Sequence, residues 1–229
     1  MKAIETFNNT NSELVTKENF NLVSFTEDAM QNLNGIQLQC PQLKIPSGGN
    51  VYFDIDEEPY KELIGVIVDH GPMNVYFAGD FDGSSQPPDC FSKDGINGMR
   101  RIDNGAGDDI AYEPVLCEGC PYAEFGSGKN GGKACKEKHQ LFIQLSGEML
   151  PYSLLLPVSS TGVLNAYATK LFTKGMFLND VVTSFTLEKA QNKTNIVYSK
   201  IVMKAIRPLT PEEKEKALKT RDFVRSING

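Results

Sequence analysis

Four cysteines lie within a long stretch of this chain that has no hydrophobic pattern of its own. Between Gly79 and Lys138 the periodic apolar residues that predict helices and strands almost vanish, and Gly, Asp and Lys are frequent. A segment this long without packing of its own is uncommon inside a compact domain unless a ligand organises it. The cysteines within it are Cys90, Cys117, Cys120 and Cys135. Residues 80–138 are therefore predicted to form an insertion that is held by a metal ion.

The spacing of these cysteines favours a tetrahedral ion. Cys117 and Cys120 form a C-x-x-C step, which can place two thiolates on one ion, and Gly119 allows the turn that this requires. Cys90 and Cys135 are the predicted remaining ligands, although His139 could replace one of them. Structural Zn²⁺ is the predicted cofactor, and an iron–sulfur cluster is the weaker alternative. Cys40 lies outside the set and is predicted to be a packing residue or a free thiol.

Other uses of the cysteines remain open. They could be ordinary buried residues without a metal, disulfides, or a redox C-x-x-C pair. Residues 1–21 show no positively charged, apolar leader, so an oxidising compartment is not expected and the predicted location is the cytoplasm. A redox pair is expected between a strand and a helix, whereas Pro121 and a glycine-rich segment follow Cys120.

Composition predicts a soluble globular protein with an uneven charge. The chain has 229 residues, of which 40% are hydrophobic, and no apolar run is long enough to span a bilayer. Residues 1–120 hold 7 Lys and Arg against 20 Asp and Glu, a net charge of −13, whereas residues 121–229 hold 16 against 9, a net charge of +7. One surface could therefore meet a polyanion, although two solvated faces explain the same counts.

The rest of the chain predicts a mainly β fold. A single domain, 1–229, is expected to be an OB-like antiparallel barrel with the long metal-bound insertion, a helix between late strands and a C-terminal helix at 210–229. A β-hairpin is predicted from 63–68 and 75–78, with the turn at 70–74. The first helix is predicted to begin at Ser160 or Thr161 and to end before Gly175. The other predicted strands are 36–38, 51–55, 140–145, 152–156, 181–187 and 196–203.

Three cysteine motifs resemble those of a group of small bacteriophage proteins. The chain reads C-x-S-x-D-G from Cys90, C-x-x-C-P from Cys117 and G-K-x-C-K from Gly132, and then Leu156-Pro157-Val158-Ser159. Some members of that group are single-stranded DNA-binding proteins of the phage replication module. The resemblance covers about half of the chain, from Asp89 to about Thr186, and implies a metal-bound module on an OB-like core with single-stranded DNA as partner. Many phage single-strand binders end in an acidic tail that recruits replication proteins, and the ending Arg221–Gly229 departs from that pattern.

Binding of a single strand needs cations along the backbone and flat side chains on which bases stack. Tyr198, Lys200 and Lys204 share one side of a predicted strand by its two-residue period, and they form the predicted binding stripe. For each aromatic residue, packing in the core is the competing interpretation. The further predicted contacts are Lys133, Lys136, Lys138, Phe142 and Tyr152.

The sequence does not predict an enzyme. The chain has two histidines, His70 and His139, and neither belongs to a recognisable catalytic motif. Aspartates around Cys90 could bind Mg²⁺ in a nuclease, but interleaved glycines favour turns. The glycine-rich runs before Lys129 and Lys133 lack the Ser or Thr of a phosphate-binding loop. The alternative functions are a zinc-stabilised phage protein that binds a host or phage protein and, third, a metal-dependent nuclease or iron–sulfur protein.

Overall fold

β-Strands dominate the architecture, as the sequence predicts. A computed structural model describes residues 20–23, 33, 35–79, 87–102, 110–192 and 195–228, except for the side chains at 130 and 228. Strands account for 42% and helices for 22%, with two α-helices in the described part of the chain. The strands are β1 Gln42–Leu43, β2 Phe53–Ile55, β3 Glu58–Tyr60, β4 Glu62–Tyr76, β5 Cys90–Ser92, β6 Asn97–Ile102, β7 Ala111–Leu116, β8 Lys136–Leu145, β9 Tyr152–Leu156, β10 Val181–Gln191 and β11 Val197–Pro208. The helices are α1 Val158–Phe172 and α2 Pro211–Asn228.

The chain divides into two compact units. The first consists of the residues up to Asp69, Leu141–Leu154 and Gly162–Gly229, and the second of His70–Gln140 with Leu155–Thr161. The long strands β4 and β8 each contribute residues to both units. The described residues of the predicted insertion belong to the second unit.

The first unit is built on an open mixed sheet. Its strand order is β1-β9-β8-β4-β10-β11, in which β1 pairs with β9 in parallel and β10 pairs antiparallel with both β4 and β11. Closure into a barrel would require pairing of the two edge strands, and β1 and β11 do not pair in the described residues. The predicted barrel is therefore wrong, although the mainly β class is confirmed.

Helix α2 covers the core of the first unit. Ala217 and Val224 of the helix pack with Val66, Val68 and Val182 of the sheet. Phe142 belongs to the same cluster and is only 8% exposed. The helix begins with a capping box, in which the Glu213 N–H donates to Thr210 Oγ1 at 3.2 Å and the Thr210 N–H donates to Glu213 Oε2 at 2.8 Å. The predicted start of this helix is thus confirmed, with Pro211 as its first residue.

Several other predicted elements are confirmed. Strands β8, β9, β10 and β11 contain the predicted runs, and the helix predicted after Ser160 is α1, which starts two residues earlier at Val158. The chain turns away after α1 at Gly175, whose φ of +71° lies in the left-handed region that glycine favours. No helix in the described residues combines the length and apolarity needed to cross a membrane.

Three predictions about strands are wrong. Residues 36–38, predicted as a strand, have no regular structure, and the first described strand is β1 at Gln42–Leu43. The hairpin predicted from 63–68 and 75–78 is a single strand, β4, which runs straight through His70–Asn74. Three strands, β5, β6 and β7, lie in the stretch predicted to lack regular structure, and they form an antiparallel sheet beside the end of β4. Strand β6 is largely exposed, so its sequence carries little of the alternation by which strands are recognised.

Candidate metal centre and nucleic-acid surface

The second unit contains almost no apolar core. Among the described residues, its buried hydrophobic side chains are Val75 and Leu156, whereas the first unit contains all the others. Hydrophobic burial is the main stabilising contribution to folding, so the short strands β5–β7 need another source of stability. The four predicted cysteine ligands all lie in this unit.

Each of the four cysteines stands at the end of an element. Cys90 is the first residue of β5, Cys117 follows β7, Cys120 precedes a 3₁₀ turn at Pro121–Ala123, and Cys135 precedes β8. Backbone hydrogen bonds hold these ends together. The Cys117 N–H donates to the carbonyl of Ile96 at 2.8 Å, and the Cys135 N–H donates to that of Tyr122 at 2.8 Å. The topology thereby collects residues that are 45 positions apart in the sequence.

The four thiols line one small cavity. It has a volume of about 30 Å³, and Cys90, Cys117, Cys120 and Cys135 all border it. Each cysteine is half-buried and none forms a disulfide. Among the described residues, no carboxylate borders the cavity. Thiolates without carboxylates favour a soft or borderline ion such as Zn²⁺ over Mg²⁺ or Ca²⁺.

The backbone of the C-x-x-C step is turned as the sequence predicts. Gly119 has a φ of +70°, and the Cys120 N–H donates to the Cys117 carbonyl at 3.2 Å. A Cβ at position 119 would meet no atom within 4 Å, so the dihedral angle alone favours glycine there. Across the cavity, a Cβ on Gly98 would lie 3.5 Å from Cys90 Sγ and from Cys117 Sγ.

The thiols influence one another electrostatically. Burial, followed by negative charge on Cys120, Cys90 and Cys117, raises the pKa of Cys135 to about 11. Burial also raises the pKa of Cys90, followed by the charges of Cys117 and Cys120, whereas Arg100 opposes the shift. Burial and the charges of neighbouring thiolates both disfavour ionised cysteines in this cavity. A divalent cation in the cavity would reverse this and favour the thiolates.

The four cysteines are ligands that suit Zn²⁺, although their side chains are not arranged around one point. As placed, no group of three or more His, Cys, Asp and Glu side chains in the described residues stands close enough to hold an ion. Neutral thiols have little attraction for one another, whereas an ion at the centre of the cavity would attract all four. The common cavity and the mutual effects on pKa are the observations that favour the site.

His139 and Cys40 lie elsewhere. His139 does not border the cysteine cavity, and its Nε2 lies 3.0 Å from Nδ1 of His70. The suggested replacement of a cysteine by His139 is therefore not supported by its position. Cys40 is half-buried, packs against the apolar cluster of the first unit and does not border the cysteine cavity, as the sequence predicts for a packing residue.

Two of the three predicted lysines of the cysteine region have partners within it. Lys133 Nζ lies 2.6 Å from Glu137 Oε1 and 5.1 Å from the centre of the Phe125 ring. Lys136 Nζ donates to the carbonyl of Lys133 at 2.5 Å. Lys138 is half-buried, and burial lowers its pKa. Lys136 alone among these three predicted contacts is well exposed.

The predicted stripe on β11 shares one face of the strand. Lys204 is exposed, Tyr198 and Lys200 are half-buried, and the alternate residues Ile201 and Met203 are buried on the other face. Glu188 lies directly opposite Lys200 on β10, so the charge of the stripe is partly offset.

Two of the predicted aromatic contacts are buried. Phe142 belongs to the core of the first unit and Tyr152 is only 9% exposed. Burial, together with the negative charge of Glu148, raises the pKa of Tyr152 to about 12. Neither ring is available to stack on a base, because both lie on core-facing sides of their strands. This part of the prediction is wrong, and core packing is the correct interpretation.

Sequence reasoning missed Phe125 and Tyr122, two aromatic residues that are exposed beside the cysteines. Phe125 is 82% exposed and Tyr122 is 42% exposed, and Tyr122 stacks on Tyr76 with ring centres 4.2 Å apart. Phe77, which follows β4, is 47% exposed. The available signal for Phe125 was its place in a glycine- and lysine-rich segment that has no apolar neighbours with which to form a core.

The aspartates considered for Mg²⁺ have local roles where they are described. Asp94 accepts hydrogen bonds from Asn97 Nδ2, from the backbone N–H groups of Ile96 and Asn97 and from Ser92 Oγ. The bond from the Asn97 side chain, followed by the two backbone bonds, is the main cause that holds the pKa of Asp94 well below its usual range. Asp89 Oδ2 accepts from the Ala78 N–H at 2.7 Å. Both act as turn residues. The other candidates, Asp80, Asp82, Asp103, Asp108 and Asp109, lie outside the described residues.

Comparison with known proteins finds no relative. The chain matches no protein-family model, no curated protein and no solved structure. The resemblance to phage single-stranded DNA-binding proteins, carried by the cysteine motifs, therefore stays a prediction.

Proposed function

We propose that this protein binds single-stranded DNA without catalysis, in a phage replication or recombination module, and that a structural Zn²⁺ on Cys90, Cys117, Cys120 and Cys135 shapes the binding region. The convergence of four thiols on one cavity carries the proposal. It occurs in a unit whose apolar core is nearly absent in the described residues. A zinc–thiolate site supplies folding free energy directly, which suits such a unit.

The exposed aromatic residues and lysines beside the cysteines support DNA as the partner. Lys133 lies over the ring of Phe125, so one group could meet a phosphate while the other meets a base. Tyr122 and Tyr76 stack on each other, and both border the cysteine cavity. Tyr198, Lys200 and Lys204 on β11 remain the proposed second contact region.

The metal site is tested by elemental analysis of the purified protein. We expect about one zinc per chain. Cys117→Ser should lose the zinc, because Cys117 and Cys120 of the C-x-x-C step bind the ion as a pair. Cys40→Ser is the matched control and should keep the metal, since Cys40 packs in the other unit. Full zinc retention by Cys117→Ser would contradict the site, and an iron signal with visible absorption would replace zinc by a cluster.

The DNA interface is tested by titrating a fluorescent oligonucleotide at several salt concentrations. We expect affinity to fall steeply with added salt because counterions are released from the strand. Phe125→Ala should weaken binding by about 1–3 kcal/mol, the free energy of one stacked base. Phe177→Ala is the control, because Phe177 is also exposed, at 58%, but belongs to the other unit. Equal affinity of both variants would remove Phe125 from the interface, and no binding at low salt would remove DNA as the partner.

One observation favours a second candidate, a zinc-stabilised protein that binds another protein. Ile96 is 63% exposed and Leu116 is 67% exposed, and both lie at the same end of the β6–β7 pair, where Leu116 pairs with Asn97 and the Cys117 N–H donates to the Ile96 carbonyl. Large apolar side chains that stay exposed close together on a surface are typical of protein contacts. A partner captured by the wild type but not by Leu116→Ser, together with no oligonucleotide binding, would favour this alternative.

A further inference from the structure

The two histidines of the chain meet on neighbouring strands. His70 lies in β4 and His139 in β8, both within the second unit. Nδ1 of His70 and Nε2 of His139 are 3.0 Å apart, and the rings are tilted by 31° with centres 5.2 Å apart. His70 is exposed and His139 is half-buried, so solvent reaches the pair. The 69 residues that separate them in sequence hide this arrangement from any local motif.

The distance between the two nitrogens suits two ligands of one ion. With metal–nitrogen bonds of about 2.0–2.1 Å, two ligands at a right angle stand roughly 2.9 Å apart, whereas two tetrahedral ligands stand roughly 3.3 Å apart. Right angles are typical of square-planar and octahedral ions such as Cu²⁺ and Ni²⁺, and imidazole is a ligand that both accept. We propose that His70 and His139 form a second metal site, which binds a Cu²⁺- or Ni²⁺-type ion through two adjacent coordination positions.

The chemistry of the pair is consistent with metal ligation. Burial, followed by the charge of His70, lowers the pKa of His139, which favours the neutral imidazole that a metal ion needs as a ligand. Neither histidine borders the cysteine cavity, so the two metal sites do not share ligands. They also differ in ligand type, because thiolates select Zn²⁺ or an iron–sulfur cluster.

The competing explanation is a hydrogen bond between two neutral imidazoles, for which 3.0 Å is also an ordinary distance. The two explanations make different predictions for a metal complex that has two adjacent open positions. Nickel nitrilotriacetate is such a complex. A chelating pair binds it through both nitrogens, whereas a single accessible imidazole binds it through one.

The test uses the full chain without a histidine tag, loaded with zinc beforehand so that the cysteines are occupied. Binding of nickel nitrilotriacetate is measured for the wild type, His70→Gln, His139→Gln and the double variant. Since these are the only two histidines, the double variant reports all binding that does not involve imidazole. We expect each single variant to bind roughly 100-fold more weakly than the wild type, because the second ligand binds intramolecularly.

Two outcomes would overturn the site. Wild type that binds no better than either single variant would leave only the hydrogen bond, and equal binding by the double variant would place the nickel elsewhere. Zinc content is measured in every variant as a check on folding. The zinc content should be the same in all variants. The test of the second metal site does not depend on whether the protein binds DNA.

Discussion

Tyr167 and Thr183 share a hydrogen bond in the interior of the first unit. The hydroxyl oxygens are 2.7 Å apart, and the side chains are 6% and 0% exposed. The bond joins α1 to β10, so it fixes the helix on the sheet at a position where water cannot replace a lost partner. The spacing of Tyr167 from Leu164 and Leu171 indicates the apolar face of a helix, but the sequence could not supply the partner of the hydroxyl group.

Removal of one hydroxyl group from this pair should destabilise the folded protein. We expect Tyr167→Phe to lower the free energy of unfolding by about 1–2 kcal/mol, because the buried hydroxyl of Thr183 is left without its partner. Urea denaturation followed by circular dichroism measures the change. Tyr198→Phe, on a half-exposed face of β11, serves as the control and should change stability little. The pair contributes no net stability if the two variants unfold at the same urea concentration.

The start of α2 combines a capping box with an ion pair. Besides its cap with Thr210, Glu213 accepts hydrogen bonds from both terminal nitrogens of Arg207, each at 2.7 Å. These bonds from Arg207 are the main cause of the lowered pKa of Glu213. The cap could be read from the sequence, but Arg207 lies in β11, and only the fold brings it to the helix terminus.

The stability supplied by Glu213 should depend on pH. Because its pKa is lower in the folded state, the carboxylate stabilises the protein above the unfolded-state pKa of about 4.3, and this contribution is lost as the pH falls through the folded-state value. We therefore expect Glu213→Gln to be destabilising near pH 7 and to approach the wild type at acid pH. Thermal unfolding of both proteins between pH 7 and pH 3 measures this. A difference that stays constant over that range would show that charge is not the cause.

The strands differ in how clearly the sequence predicts them. Strands β8–β11 were predicted because their apolar residues face a core, and that core imposes periodicity on the sequence. Strands β5–β7 have little core to face, so the same signal is missing. In β4, the run His70-Gly71-Pro72 carries turn residues, yet pairing of this strand with β8, and with β5 from Asn74, keeps the chain extended.

At the scale of the whole molecule, the two units should respond differently to removal of metal. The first has a large apolar core, whereas the second has two buried hydrophobic side chains in its described residues. We expect a zinc chelator to abolish amide protection in β5, β6 and β7 while leaving that of β10 and β11 intact. Hydrogen exchange with mass spectrometry resolves these segments. Unchanged protection of β5–β7 in metal-free protein would mean that zinc is not their source of stability.

The sequence by itself determined the mainly β class, the late strands, both described helices and the grouping of the cysteines, because these depend on local periodicity, caps and spacing. Only the tertiary structure decided that the sheet is open, that Phe142 and Tyr152 are buried, and that His70 meets His139. Strand pairing is the physical reason, since it joins residues far apart in the sequence through backbone bonds that side chains do not encode. The sequence shows that the cysteine stretch has too few apolar residues to form a core. The strands β5–β7 and the cavity that the cysteines share are seen only in the tertiary structure.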